Sequence, residues 1–167
     1  MAKKLDFTSQ QDNVNDVIDI QLAPSKKKKF RIDGDNSRII ELDPSDLNII
    51  NRYKDTYKRL DELSVKVITG APEEIEGESD YDSIERASNY LTEIDKEMRE
   101  CVDYIFDSPV SDVCVQSGTM YDPVGGQFMF ERVIEVLFGL FETGINDEFQ
   151  KMSKRVSKHT GKYTKKS

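Results

Sequence analysis

The residues that could perform chemistry in this sequence are few and lie far apart. His159 is the single histidine, and it has no cysteine or carboxylate nearby at metal-ligand spacing. Cys101 and Cys114 are the two cysteines, and we interpret them as reduced, partly buried thiols because no secretory signal or disulfide framework accompanies them. The sequence contains neither a GxSxG nucleophile motif nor an HExxH metal-binding motif. We therefore predict that the protein is not an enzyme and holds no metal or cofactor.

Three further segments have some features of ligand-binding sites but lack others. The acidic run EEIEGESD at 73–80 lacks the ligand spacing and closing glutamate of an EF-hand, so we interpret it as a solvated connection. Gly125-Gly126 is not followed by the Lys-Ser/Thr pair of a phosphate loop. The lysines at 26–29 could contact nucleic acid, but no reader motif accompanies them, and lysines also protect a strand edge. Nucleic-acid binding is therefore the least favoured function.

Length and composition are those of one soluble domain. The chain has 167 residues, of which 37% are hydrophobic and 34% charged, so it can bury a core and is not disordered as a whole. No apolar run approaches the length of a membrane span, and the first residues contain no apolar signal region. We therefore expect a cytoplasmic protein without a membrane partner.

Charge is strongly segregated along the chain. Residues 1–40 carry a net charge of +2, residues 41–150 carry −17, and residues 151–167 carry +7, within a total of −8. An acidic body with a basic end biases electrostatic encounters with partners. This pattern favours a binding function over a catalytic one.

The N-terminal part of the chain has the pattern of strands. We expect a flexible arm over 1–13 and a single α+β domain over 14–160. Alternating apolar residues at 17–22 predict one strand, and the segments 28–32 and 38–42 predict two more, joined by the turn DGDNS. The prediction is a three-stranded antiparallel β-meander over 15–42.

Three long helices are predicted after the meander, over about 44–68, 81–107 and 127–158. Asp43-Pro44 has the features of a start signal for the first helix. The second helix carries an unbroken heptad seam, Ile84, Ala87, Leu91, Ile94, Met98, Cys101 and Ile105. We interpret the seam as a packing stripe against the last helix, with a homo-oligomeric coiled coil as the alternative. The connection 108–126 contains turn signals, and we expect a small hairpin in which Val113–Val115 face Met120–Tyr121.

The last helix is the element around which the rest of the chain must pack. Its apolar residues recur at intervals of three or four, at Phe130, Ile134, Leu137, Phe141, Ile145, Phe149, Met152 and Val156. Its first half is apolar nearly all round, which requires cover from the domain or from a partner. We therefore predict partner-binding residues along this helix: Phe128, Phe130, Val133, Val136, Leu140, Lys154, Arg155 and Lys158.

The predicted core consists of this helix packed against the other two, with the meander alongside. Residues that should be mostly buried are Phe130, Leu137, Phe141, Leu91, Ile94 and Tyr53. Residues 161–167 form a basic tail. The predicted fold class is therefore α+β, with an N-terminal three-stranded meander followed by a bundle of three long helices.

Three stretches carry a resemblance to a known family. They are FRIDGDNSRIIELDPSDLNIINRY at 30–53, EIDKEMRECVDYIFDSPVSDVC at 93–114, and GTMYDPVGGQFMFERVIEVL at 118–137 with its continuation EFQKMSKRVSKHTGKYTKK. From about residue 28 to its end, the chain resembles a family of small tail-module proteins encoded in siphophages and prophages of Firmicutes. Those proteins are usually described as tail assembly chaperones or as uncharacterised phage proteins. The motifs are distinctive as text and have no catalytic meaning.

The resemblance implies a protein of the host cell cytoplasm that acts during virion assembly. Tail assembly chaperones bind the long, aggregation-prone tape measure protein and deliver tail tube subunits to it. We therefore expect the tape measure protein and the tail tube protein as partners, together with self-association. The alternative is a structural virion component of the tail or its connector, in which the same surfaces are buried permanently against neighbouring subunits.

Overall fold

The computed structural model describes residues 18–71, 73 and 75–163, except for the side chains of 157 and 159–163. The predicted arm at 1–13 lies outside these residues, as does the last part of the predicted tail. The described chain is a mixed α+β structure, which confirms the predicted class. In chain order its elements are β1 (Lys28–Arg31), β2 (Ile39–Leu42), α1 (Ile49–Thr69), α2 (Asp80–Phe106), α3 (Ser111–Cys114), β3 (Pro123–Val124), β4 (Gln127–Phe128) and α4 (Met129–Tyr163).

Strands β1 and β2 form the predicted hairpin. They pair antiparallel, with Phe30 opposite Ile40. Ile40 and Leu42 are buried, whereas Ile39 and Glu41, which alternate with them, are exposed, so one face of the hairpin packs on the core. The turn contains Asp33 and Gly34, both with positive φ, as the turn-rich sequence suggested.

The predicted three-stranded meander is wrong, because the structure has no strand within residues 18–27. Ile18, Ile20 and Leu22 alternate as a strand would, yet all three are almost fully exposed. An alternating pattern shows only that a strand would fit, whereas a stable strand also needs a neighbouring edge on which to pair. The lysine-rich edge of β1 discourages such pairing.

Helices α1 and α2 contact each other more extensively than any other two elements do. In the heptad seam of α2, Ile94, Met98 and Ile105 are buried and Cys101 is half-buried, but Ile84 at its start is exposed. The seam therefore faces α1, and not mainly the last helix as predicted, since α2 contacts α4 much less than it contacts α1. Ser79 caps α2 by accepting a hydrogen bond from the Asp82 amide, and α2 ends at Asp107 with positive φ.

Helix α1 begins later than the Asp43-Pro44 signal predicted. The carboxylate of Asp43 instead accepts hydrogen bonds from the amide and hydroxyl of Ser45, which is a local turn two residues long. Asp46 accepts in the same way from the Asn48 amide. Asp43-Pro44 therefore belongs to a turn, and α1 begins five residues after Pro44, at Ile49.

The connection between α2 and α4 contains its own structure, so the predicted order of one meander followed by three long helices is wrong. Val113 lies in the short helix α3, which excludes the predicted pairing with Met120–Tyr121. The small hairpin is formed instead by β3 and β4, where Val124 pairs with Gln127. Gly125 and Gly126 between them both have positive φ, the geometry of a two-residue hairpin turn that favours glycine.

The core lies where α1, α2 and the first half of α4 meet the hairpin and the connection. Of the six residues predicted to be mostly buried, Phe130, Leu137, Phe141 and Ile94 are buried, whereas Tyr53 and Leu91 are half-buried. Met120 from the connection is fully buried among them, which the sequence did not indicate. The first half of α4 therefore contributes to the core as its apolar face predicted, but the most extensive contact between helices is that of α1 with α2.

Candidate protein-binding surface

The start of α4 is held in place by polar contacts from α2. The Arg99 guanidinium donates to the Asp95 carboxylate at 2.8 Å, and also to the backbone carbonyls of Val115 and Gly118. Asp95 in turn accepts a hydrogen bond from the Met120 amide at 2.6 Å. Because Met120 also accepts from the Phe130 amide at 2.8 Å, these contacts lead from α2 to the first turn of α4. The half-buried Arg99–Asp95 pair thus fixes the position of α4 relative to α2.

Helix α1 is anchored to the end of α2 by a second arginine. Arg52 donates to the carbonyl of Ile105 at 2.8 Å and pairs with the Asp46 carboxylate at 2.7 Å. A bond from an arginine to a carbonyl at the end of a helix also favours the negative end of the helix dipole. With both α1 and α4 fixed to α2, the space between α1 and α4 has a defined shape.

That space is an open groove in two connected parts. One part has a volume of about 350 Å³ and is lined by Tyr53, Tyr57, Leu60, Asp61, Ser64, Phe130, Glu131, Ile134 and Glu135. The other has a volume of about 530 Å³ and is lined by Ile49, Ile50, Glu135, Phe138, Gly139, Phe141, Glu142, Ile145 and Asn146. Glu135 belongs to both parts, so we treat them as one surface, the α1–α4 groove.

The floor of the α1–α4 groove is aromatic and apolar. The rings of Tyr53 and Phe138 meet edge to face with centroids 5.4 Å apart, and Tyr57 lies 6.1 Å from Tyr53. Tyr57 and Ile50 are both more than half exposed, so this apolar surface remains open to solvent. Exposed apolar surface gathered in a groove is typical of a binding site.

The charged residues that line the α1–α4 groove are all acidic. Asp61, Glu131, Glu135 and Glu142 line it, and the described lining contains no lysine or arginine. Arg132 nearby pairs with Glu135 at 3.3 Å, but both side chains are more than half exposed, where such pairs contribute little. The groove is therefore suited to a ligand that is both apolar and positively charged.

A second exposed apolar surface lies on α4 beyond the groove. We call residues 129–145 the proximal half of α4 and residues 146–163 its distal half. Phe149, Met152 and Val156 in the distal half are 49%, 43% and 54% exposed, and every described side chain from Phe149 to Val156 is exposed. These three form the distal stripe, and it is flanked by the exposed cations Lys151, Lys154, Arg155 and Lys158.

The structure separates the eight residues predicted to bind a partner. Phe130 and Val133 are only 5% and 7% exposed and belong to the core, because α1 and the connection cover this side of α4. Phe128 and Leu140 are half-buried against the core, and Val136 is exposed. The three cations, Lys154, Arg155 and Lys158, are exposed in the distal half.

The predicted apolar and basic residues therefore do not form one surface. From Val136 to Lys154 the helix rises about 27 Å at ~1.5 Å per residue. The prediction also did not include Tyr57 and Ile50 on α1, which line the groove. Phe149 and Met152 were recognised as part of an apolar face, but nothing in their spacing indicated that this part of the face is uncovered.

The two thiols are free and have environments that disfavour the thiolate. Burial raises the pKa of Cys101, and it raises the pKa of Cys114 to about 11. Both groups are therefore protonated at neutral pH, where a thiol is a poor nucleophile and a poor metal ligand. Among the described residues, no group of three or more His, Cys, Asp or Glu side chains could hold a metal ion.

Comparisons with family models, with curated proteins and with solved structures gave no match. In the part of the chain that the structure describes, no helix is both long enough and apolar enough to cross a membrane. The structural features that bear on function are therefore the α1–α4 groove and the distal stripe.

Proposed function

We propose that this protein is a non-catalytic phage tail assembly chaperone of the host cell cytoplasm. Its clients would be the tape measure protein and, with it, tail tube subunits. The proposal combines the resemblance of residues 28 to 167 to siphophage tail-module proteins with one structural observation, the acid-lined apolar groove between α1 and α4.

The shape and length of the groove suit a helical client segment. Its lining on α4 extends from Phe130 to Asn146, which corresponds to about 24 Å of helix. An amphipathic helix binds such a groove by placing side chains one turn apart into it. Tyr57 and Ile50, two turns apart on α1, are exposed and provide apolar contacts for these side chains.

The charge of the groove selects among such helices. A client helix with lysines or arginines beside its apolar face would place them near Glu135 and Glu142, which are exposed on the α4 side. Complementary charges of this kind accelerate the encounter and exclude acidic competitors. A tape measure protein, as a long helical and often basic chain, offers many segments of this type.

The experiment is co-expression with a tape measure fragment that is insoluble alone. The wild-type chain should make the fragment soluble as a complex that survives size-exclusion chromatography. The double variant Glu135→Lys, Glu142→Lys should lose at least half of that soluble fragment, because it places cations against a basic client. Glu93→Lys, Glu100→Lys is the matched control, since both glutamates are exposed on α2 with the same seven-residue spacing.

Two results would overturn the proposal. The first is a fragment that remains insoluble with the wild-type chain. The second is equal loss of soluble fragment in the groove variant and the α2 control, which would assign the effect to net charge alone. Mass spectrometry of purified virions tests the alternative of a structural tail or connector component, because such a component would be present at fixed copy number.

A further inference from the structure

In the distal half of α4, every described side chain from Phe149 to Val156 is exposed, and this part of the helix is basic and amphipathic. Its distal stripe, Phe149, Met152 and Val156, follows the spacing of three and four that characterises one helix face. Arg155 and Lys158 lie beside this stripe and are exposed. The distal half therefore has the chemistry that the α1–α4 groove requires of a ligand.

The distal stripe cannot reach the groove of its own chain. Helix α4 is continuous from Met129 to Tyr163, so its distal half leads away from the groove that its proximal half lines. Val156 lies about 22 Å further along the helix axis than Phe141. Occupation of a groove by a distal stripe must therefore take place between two molecules.

The dimensions of the two surfaces match. From Ile145 to Val156 the apolar face of α4 extends over about 17 Å, which is shorter than the ~24 Å of groove between Phe130 and Asn146. The stripe brings three apolar side chains and adjacent cations to a groove with an apolar floor and four acidic residues. Both apolar burial and charge favour this pairing.

Pairing of two distal stripes with each other is less favourable. It would bring the cations at 151–158 of both molecules into one short interface, where like charges oppose association. It would also leave Tyr57 and Ile50 exposed in both grooves. Stripe-to-groove pairing covers both exposed surfaces and joins unlike charges.

We propose that the distal half of α4 of one molecule docks in the α1–α4 groove of a second copy when no client is bound. The contact joins two different surfaces, so association is head to tail, and each subunit retains one open groove or one free stripe unless a ring closes. This inference rests on the proposed function only in treating the groove as a docking site. Client binding and self-association then compete for the same surface.

The test uses two charge-reversed variants and a mixture of them. The groove variant is Glu135→Lys, Glu142→Lys, and the stripe variant is Arg155→Glu, Lys158→Glu. Each should associate at least tenfold more weakly than wild type in sedimentation velocity at low salt, whereas Glu93→Lys, Glu100→Lys should not. A one-to-one mixture of the two reversed variants should recover association, because each acidic stripe then meets a basic groove.

The melting temperature of every variant is measured as well. A value close to that of the wild type shows that substitution of the exposed residues preserves the fold. Association of the groove variant as strong as wild type would overturn the inference, since it would mean that stripes pair with each other. A wild-type protein that stays monomeric at high concentration would overturn it as well. Failure of the mixture to recover association would show that the two surfaces do not meet.

The stripe variant also separates this inference from the proposed function, because its groove is unchanged. If it makes the tape measure fragment soluble while the wild-type protein never self-associates, the inference fails and the chaperone function stands. If the wild-type protein associates through its groove but the fragment remains insoluble, the chaperone function fails and the inference stands.

Discussion

Phe141 and Phe149 belong to one apolar stripe of α4 and have different surroundings. Phe141 is buried, with its ring 5.8 Å from that of Phe106 on α2. Phe149 is about half exposed, and Leu47 near it is exposed as well. The spacing of apolar residues is the same on both sides of residue 145, but among the described side chains only those of the proximal half include buried ones.

An apolar stripe on a helix can therefore be a part of the core or a surface for binding. Periodicity identifies which side of a helix is apolar, because it follows from the geometry of the helix itself. It carries no information on what lies against that side. The proximal half is a core element, whereas the distal half presents a surface of the kind that binds partners.

The largest expected effect comes from truncating the two phenylalanines. Phe141→Ala should lower the free energy of unfolding by roughly 3–5 kcal/mol, because it leaves a cavity in a filled core. Phe149→Ala should cost less than about 1 kcal/mol, because its side chain is already half hydrated. Chemical denaturation at a protein concentration where the chain is monomeric measures both. Equal losses would show that the distal half is covered in the single molecule.

A second comparison lies at the boundary of the two halves, at Gly144. A Cβ added there would lie 2.7 Å from the carbonyl carbon and Cβ of Pro44, a buried residue that precedes α1. Gly144→Ala should therefore destabilise the protein by about 1–3 kcal/mol, since backbone and proline ring must shift. Thermal or chemical unfolding measures this loss.

Gly139 supplies the control, because it lies one and a half turns earlier with no atom within 4 Å of an added Cβ. Gly139→Ala should stabilise the protein by up to roughly 1 kcal/mol through helix propensity alone. Equal stabilisation of the two alanine variants would contradict the packing of α4 against Pro44. The part of α4 that is not packed would then begin before residue 146.

The features that the sequence predicted correctly are those encoded within one segment. The DGDNS turn between two alternating segments specified the β1–β2 hairpin, and the three-four spacing specified the inner face of α4. The β3–β4 hairpin also has its signal within one segment, the Gly125-Gly126 turn between Val124 and Gln127. The prediction nevertheless missed it, because it placed the pairing earlier in the connection.

The features that could not be predicted depend on segments that are distant in the chain. Tyr57 and Glu135 line the same groove although 78 positions separate them, and neither is unusual in its own segment. The helix that packs against the α2 seam could not be predicted for the same reason, because α1 and α4 both have an apolar face with helical spacing. Which of the two helices packs on the seam depends on the contacts of Arg52 and Arg99. The pattern of residues within one segment does not reveal these contacts.

The smallest expected effect comes from the end of the distal half. Deleting residues 160–167 should change the melting temperature by no more than about 2 °C, because the last residues of a domain generally contribute little to folding. The deletion removes Lys162, Lys165 and Lys166, so association of the monomers should become weaker and less sensitive to salt. Calorimetry and sedimentation on the same samples measure the two effects. A large fall in melting temperature would mean that this end of the chain is docked on its own domain. The proximal and distal halves of α4 would then both be packed against the rest of the chain.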